Sequence, residues 1–428
     1  MADTVWFITG SSRGLGRAIA LAALERGDRV AATARTVSAL EDLAATYPGH
    51  LIVLPLDVTD PAQVQDAVAR AHEHFGRLDV VVNNAGYANL AAVEDTSGED
   101  FRAQVETDFF GVVTTTKAVL PILREQGSGR IINVSSVGAR VGTPGLAAYQ
   151  AAKWAVSGFT EVLAAEVAPL GIHVTAIEPG GMPTDWAGSS MRVPAPSPAY
   201  QNTVGAMTAF FTSGQLKPLS DTGKVARAVL RVADADQPPT RLLLGSDALA
   251  GARAAATALA ASDATWEQLS RSTDRDEATD AERDPLGQQA SRPETVVRRF
   301  IDEVVNGGNL DLLPELWTDD LAWHGGSMGD IHGLPAYRDY MADNTSGAFT
   351  GMHLDIKEII ATGSKCVVRF TNSGTQTGTF MGAPGTGEHA EWLGIGIYTV
   401  TNGKISEAWF GEDILGMLIQ LGAVTLPQ

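Results

Sequence analysis

The chain has 428 residues, 44 % of them apolar, and a formal charge of −19. That length exceeds one ordinary hydrophobic core and predicts two or three domains. The negative charge opposes binding to nucleic acid or to anionic membranes, which select basic surface, and neither is expected as a partner.

From residue 4 to about 245, short strand-like runs such as "TVWFITG", "RVAATAR", "LDVVVNNAG", "GRIINVSS" and "IHVTAIEPG" alternate with Ala- and Leu-rich helical patterns at 15–26, 61–75 and 147–169. This alternation predicts βαβ units on a parallel sheet covered on both faces, an α/β doubly wound Rossmann arrangement with ligands at the carboxyl ends of the strands. A helical stretch at 246–271 closes this half, giving a first domain over 1–273. The segment "RDEATDAERDPLGQQASRPE" has little that could enter a core, so 274–292 is expected to be a flexible acidic linker. After it, "PETVVRRFIDEVVNGG" and 333–343 read as helices. Alternating strands follow at 352–361, 364–376, 389–401 and 404–411, with "TNGK" as a hairpin turn. Helices followed by an antiparallel sheet predict a separate α+β domain over 293–428.

No apolar run reaches 18 residues, and the start lacks a basic segment followed by an apolar one, so neither a membrane span nor a leader is expected. Cys366 is the only cysteine; in "KCVVRF" it reads as a small strand filler, and a reducing cytoplasm fits. The histidines show no ligand spacing, and no metal is expected.

"FITGSSRGLGRAIA" places Gly10, Gly14 and Gly16 at a strand-to-helix turn, where the backbone must approach a pyrophosphate held by helix amides. In "AAYQAAKWA", Tyr149 and Lys153 are four residues apart and share one helix face. A phenol exchanges protons poorly near neutral pH unless a cation stabilises its anion, and Lys153 can be that cation.

These stretches, together with "NNAG", "NVSS" and "PGGMPT", resemble the short-chain dehydrogenase/reductase family in order and approximate spacing over residues 3–273. The resemblance implies Tyr149 as general acid/base, Lys153 lowering its pKa and holding the nicotinamide ribose, and Ser136 orienting the substrate oxygen. Ser136 is preferred to Ser135 because it lies thirteen residues before the tyrosine, as is usual in the family. It also implies a coenzyme cradle from Gly10, Ser12, Arg13, Gly14, Leu15, Gly16, Asp57, Val58, Asn83, Ala85, Gly86, Pro179, Gly180 and Thr184, with Asp57 accepting from the adenine amino group.

At the end of the second strand, where NAD-preferring sites carry an acid, the chain has Ala34 and then Arg35, with Arg13 inside the glycine turn. Two guanidiniums suit the extra phosphate of NADPH/NADP+, so NADP(H) is expected over NAD. The chain departs from the family at Asp108, where an asparagine usually keeps a helix kinked so that a carbonyl can hold a relay water near the lysine. An ionised Asp accepts hydrogen bonds but cannot donate as the amide does, and it could pair with Lys153. Tolerated variation and altered chemistry both remain open. Over 182–216, Met182, Trp186, Met191, Met207, Phe210 and Phe211 suit either a bulky apolar substrate or simple lid packing.

The second half, with "GIGIYTVTNGKISEAWFGEDILGMLIQLG", resembles the SnoaL-like polyketide cyclases, on the cone-shaped fold of nuclear transport factor 2, over roughly 293–425. The resemblance implies a deep apolar pocket with Asp413 as candidate base and Trp323, His324, Gln376, His389 and Trp392 as members. Asp413 equally suits a helix N-cap. Both families imply a homo-oligomer, dimer or tetramer. The expected function is a bifunctional enzyme of polyketide-type metabolism. NADPH-dependent ketone reduction, or the reverse, would be coupled to cyclisation or dehydration of a carbonyl intermediate. The alternatives are a reductase with a non-catalytic binding or dimerisation module, and a cyclase whose Rossmann half has lost turnover.

Overall fold

In the computed structural model, which describes residues 3–183, 191–213, 217–285, 291–325, 329–382 and 384–425, the first strand shows how the core is built. β1 (Val5–Ile8) is buried at all of its positions. Val5 and Phe7 enter one apolar layer and Trp6 and Ile8 another, because successive strand residues point to opposite faces. The same division runs through β2 (Arg29–Ala34), β3 (Leu51–Pro55), β4 (Val80–Asn83), β5 (Gly129–Val134) and β6 (Ile172–Pro179), while β7 (Arg241–Leu244) adds Leu242 and Leu244 to the second layer. They form a parallel sheet in the order β3-β2-β1-β4-β5-β6-β7.

The helices of this unit are α1 (Gly14–Arg26), α2 (Glu41–Thr46), α3 (Pro61–Phe75), α4 (Gly98–Val105), α5 (Gly111–Gln126), α6 (Ala147–Val167), α7 (Ala206–Thr212), α8 (Thr222–Asp234) and α9 (Ser246–Arg271). α3, α5 and α6 cover the Val5/Phe7 face, and α1 and α8 cover the other. Strand order reverses between β1 and β4, which opens a crevice at the carboxyl ends of the strands.

Local chemistry sets several boundaries. α3 begins with Pro61, capped by Asp60, whose carboxylate accepts from the amides of Ala62 and Gln63 at 2.9 and 3.2 Å; it ends on Gly76 at φ 74°. α4 and α5 are joined by a π-type turn, Glu106–Phe110, that turns Asp108 fully inward. Glu178, near the end of β6 and without exposure, binds Arg140 Nε at 2.6 Å, Arg241 Nε at 2.7 Å and Ser157 Oγ at 3.2 Å. It thereby ties β6 to β7, to α6 and to the loop after β5.

The chain divides into two compact units, Met1–Gln268 and Leu269–Gln428. The stretch expected to be a flexible acidic linker contains a short helix, α10 (Asp280–Arg283). Thr279 and Glu282 form a reciprocal capping pair, Thr279 N donating to Glu282 Oε2 at 2.9 Å and Glu282 N to Thr279 Oγ1 at 3.3 Å. α11 (Pro293–Arg299) runs into a wider turn over Phe300–Asn306 and is followed by α12 (Leu313–Leu316).

The second sheet is built from β8 (Trp317–His324), β9 (Asp330–His332), β10 (Phe349–Thr362), β11 (Lys365–Gln376), β12 (His389–Thr401) and β13 (Lys404–Glu412), with α13 (Leu334–Ser346) and α14 (Ile414–Gln420). Its order is β10-β11-β12-β13-β8-β9, antiparallel except for the parallel pair β13/β8. β8 and β9 depart from the expectation of helices first and strands afterwards. Trp317, Leu321 and Trp323 bury one face of β8, while Asp319 and Asp320 interrupt the apolar pattern between them. Asn402 and Gly403 take φ 51° and 78°, as a two-residue hairpin turn requires.

The inner face of this sheet is filled by rings. Trp317 lies 4.7 Å from Tyr337 and 5.3 Å from Phe300, and Trp323 lies 4.7 Å from Tyr340 and 5.7 Å from Phe410, centroid to centroid. Cys366 is buried in this core, and burial pushes its thiol up to about 11. Among the described residues no helix is long and apolar enough to cross a membrane.

Replacing Glu178 by Leu strands Arg140 and Arg241 without their shared carboxylate. Arg241 keeps Glu161 at 3.0 Å and both guanidiniums stay partly exposed, so urea unfolding of the intact chain should show a loss of about 1.5–3 kcal/mol, the worth of a charge-assisted hydrogen bond.

Candidate active site

The crevice at the reversal of the first sheet has a volume of about 900 Å³, ample for a dinucleotide with a small second molecule. Its floor is the turn between β1 and α1. Gly10 and Gly14 take φ 67° and 57°, and a side chain on Gly10 would press to 2.9 Å from Ala85 Cα. Gly16 sits behind the turn, where a Cβ would collide with the Asn84 amide and the Gly10 carbonyl. Arg13, at the N-cap of α1, makes no side-chain cap, and no acid stands in the first turn. The helix therefore presents uncapped amides and its positive end, as a phosphate group requires.

Ser12, Arg13, Gly14, Leu15, Arg35, Asp57, Val58, Ala85, Gly86, Pro179 and Gly180 line the crevice with Gly10. Asn83 does not. It forms a cross-strand pair with Asn133 and donates to Asn133 Oδ1 at 2.9 Å and Thr116 Oγ1 at 3.2 Å, inside the fold. Its neighbour Asn84 lines the crevice instead, and the Asn84 amide group fastens the glycine turn by donating to the carbonyls of Thr9 and Gly10 at 3.0 Å each. Thr184 and Trp186 lie outside the described residues. At the end of β2, Ala34 lines the crevice where an acid would meet a ribose diol, and Arg13 and Arg35 are exposed and engaged in no ion pair among the described residues. Arg17, one turn into α1, pairs instead with Asp42.

At the other end of the crevice, α6 carries Tyr149 and Lys153 on one buried face, 8 % and 4 % exposed. Lys153 Nζ donates to the Val134 carbonyl at 2.8 Å and lies 5.7 Å from the Tyr149 ring centroid. Burial pushes the Lys153 pKa down, and Asp108 opposes that shift. Ser135 and Ser136 separate cleanly. Ser135 is buried against Ser157 Oγ at 2.9 Å and the Lys153 carbonyl at 3.2 Å, whereas the less buried Ser136 accepts from Gly138 N at 3.0 Å. Asp108 Oδ1 accepts from Tyr87 N at 3.0 Å, and burial pushes its carboxyl up to about 6 against the pull of Lys153.

Met182, Phe210 and Phe211 line the mouth of the crevice, and Met191 packs with Ala88, Leu90, Leu146 and Tyr149. Met207 is not among the lining residues. Asp247, at the start of α9, was not anticipated: it lines the crevice and accepts from Gly181 N at 2.7 Å through Oδ2. In sequence an acid opening a helix reads as a cap, which conceals this role.

In the second unit the anticipated residues scatter. Asp413 is exposed and caps α14, accepting from Gly416 N at 2.9 Å. Trp323 is locked among the inner rings. His324 points to the outer face, stacked on Trp409 at 3.8 Å and bonded to Asp330 at 3.0 Å. His389 is exposed, with Thr375 at 3.4 Å, and Gln376 is buried, accepting from Thr386 Oγ1 at 3.2 Å.

The inward acid is Glu412. Trp392 Nε1 at 3.1 Å and Asn372 Nδ2 both donate to its Oε1, and no donor among the described residues reaches Oε2. Burial raises its pKa, and those two donors partly offset the shift. Strand parity, inward at even positions of β12 and of β13 beyond its irregularity at 405–407, is the sequence signal that places Glu412 on the inner face.

Residues 4–193 match the short chain dehydrogenase family, and residues 295–421 match the SnoaL-like polyketide cyclase family. Oxidoreductase BOA17 of Botryotinia fuckeliana is 57 % identical over 268 residues, 62 % of this chain and 97 % of that one. Oxidoreductase calM of Penicillium decumbens is 38 % identical over 207 residues, 46 % of this chain and 68 % of that one. A solved short-chain dehydrogenase from Streptomyces avermitilis superposes with a TM-score of 0.61 at 39 % identity, covering 64 % of this chain and 99 % of that one. One from Burkholderia cenocepacia, solved in complex with NADP, gives 0.50 at 28 % identity, covering 61 % and 97 %. With the glycine turn, the uncapped helix and the Tyr149–Lys153 face in one crevice, the chain belongs to the short-chain dehydrogenases and continues into a SnoaL-like polyketide cyclase domain.

Proposed function

We propose that the first unit is an NADP(H)-dependent oxidoreductase that reduces a ketone, or oxidises the corresponding alcohol, on a small apolar substrate of polyketide type. The observation that carries this reading is the burial of Tyr149 and Lys153 on one helix face at the crevice that also holds the glycine turn. The bound coenzyme supplies or accepts the hydride. The uncapped amides of α1 would hold its pyrophosphate, and Arg13 and Arg35, engaged in no ion pair among the described residues, would receive the additional phosphate. Tyr149 exchanges a proton with the substrate oxygen, Ser136 orients that oxygen, and Lys153 favours the phenolate. Met182, Phe210 and Phe211 give the mouth an apolar lining suited to a bulky carbonyl compound.

A second reading concerns the SnoaL-like unit and rests on Glu412. A carboxyl raised by burial, anchored through one oxygen and open at the other, suits proton exchange with a neutral carbonyl ligand. Cyclisation or dehydration of a carbonyl intermediate on such a base completes a bifunctional enzyme. Fusion of the two units raises the local concentration of the second site to the mM range. Asp413, exposed and capping a helix, has the setting of a structural residue.

Tyr149→Phe should lower kcat about 10²–10⁴-fold while circular dichroism shows the fold retained; unchanged turnover would reject the reductase reading. Arg13→Ala with Arg35→Ala should weaken NADPH binding about 10-fold or more and leave NADH nearly unaffected, read as Kd by coenzyme fluorescence. Equal Kd values for the two coenzymes in the parent chain would remove the NADP assignment. Asp413→Ala should cost about 1 kcal/mol of stability as a lost cap, with the final product unchanged. Glu412→Gln should stop conversion after the reduced intermediate, followed by mass spectrometry of the products.

A further inference from the structure

Asp108 has no exposure to solvent, yet only one of its carboxyl oxygens is used. Oδ1 takes the Tyr87 amide, while Oδ2 is buried with no hydrogen-bond partner among the described residues. A buried carboxyl in that condition either carries a proton or leans on a cation, because an isolated buried charge is too costly. The cation at hand is Lys153. The two groups form no direct ion pair; they face a shared notch over Gly86. A Cβ added there would stand 2.9 Å from Asp108 Oδ1 and 3.5 Å from Lys153 Nζ. An ammonium carries three hydrogens, and the bond to the Val134 carbonyl uses one of them.

The backbone that places Asp108 is irregular in a way common at functional sites. The π-type turn Glu106–Phe110 breaks the run from α4 to α5 and rotates this one acid inward. The titratable side chains that bear on it are Lys153 from α6 and Tyr87 from the loop after β4; Gln104, one turn earlier on α4, is neutral, and its amide beside the carboxyl favours the charged form. Burial and these neighbours bring the carboxyl to about 6, within reach of a working pH.

We propose that Asp108 stores a second exchangeable proton for the site and acts through Lys153. It returns that proton to Tyr149 after the phenol has protonated a substrate oxygen. The inference rests on the reading of Tyr149 as the proton-exchanging group. In the reducing direction, Tyr149 loses its hydroxyl proton to the substrate oxygen. Lys153 passes a proton to the phenolate and takes one from the Asp108 carboxyl, which ends as a carboxylate beside the ammonium. Lys153, which lines the crevice, takes up a proton from solvent and returns it to Asp108 before the next cycle, and oxidation runs the same transfers backwards.

The test needs no substrate. The chain has seven tyrosines, so the full-length protein labelled in tyrosine with ¹⁵N and with ¹³C at Cζ gives few signals. The Tyr87 amide, which donates to Oδ1, reports the charge on Asp108, and the Tyr149 Cζ reports its phenol. The Tyr87 signal is expected to titrate with a midpoint of about 6, and the Tyr149 Cζ to show a step at the same pH. Both steps should vanish in Asp108→Asn. In Lys153→Met the Tyr87 midpoint should rise by a unit or more, since the cation that favours the carboxylate is gone.

A Tyr87 amide unmoved between pH 5 and 8, a Tyr149 Cζ indifferent to the Tyr87 step, or a midpoint unaffected by Lys153→Met would each overturn the proposal. Turnover retained in Tyr149→Phe would instead overturn the reading beneath it, and the titration would still stand as a measurement of the acid.

Discussion

A buried ammonium group organises the crevice of the first unit. Lys153 has almost no contact with water, so its charge survives only through what surrounds it: the Val134 carbonyl at the end of β5 and the carboxyl of Asp108 across Gly86. Each partner is delivered by a different part of the fold. The carbonyl is free because β5 ends there, and the acid faces inward because the helix widens by a turn. Tyr149 reaches the same place because it lies one turn earlier on α6. The parallel sheet, the irregular helix and the long helix are all needed to hold one charge beside one phenol.

The second unit treats its acids differently. β13 ends at Glu412, and the chain turns into α14 at Asp413. One acid therefore points inward against Trp392 and Asn372, while the next caps a helix at the surface. Adjacent carboxyls of similar intrinsic chemistry thus acquire opposite environments because one ends a strand on its inner face and the next opens a helix. The inner rings from Phe300 to Phe410 occupy much of the space expected to be open, and Glu412 is an acidic group beside a largely aromatic core.

Much of this was legible in the sequence where a local rule has one solution. Short apolar runs rich in Val and Ile marked the strands of the first sheet, a four-residue spacing joined Tyr149 to Lys153, and the "TNGK" turn marked the hairpin. The failures have equally local causes. Asn83 and Asn84 differ by one strand position, and a motif read as a block could not say which faces the crevice. β8 was hidden by two aspartates in its middle, and the inward turn of Asp108 depends on a helix irregularity that no pattern of residues announced. Asp247 looked like any helix-opening acid until the Gly180–Gly181 turn was found folded against it.

Gly86 is the least conspicuous participant. The wall between the acid and the ammonium is a bare hydrogen, and the gap it leaves is too narrow to accept even a methyl group without displacing a carboxyl oxygen. Electrical communication between two helices thus passes through an aperture defined by the absence of one carbon atom. Nothing about the charge or polarity of that position reveals its importance, which lies wholly in its size.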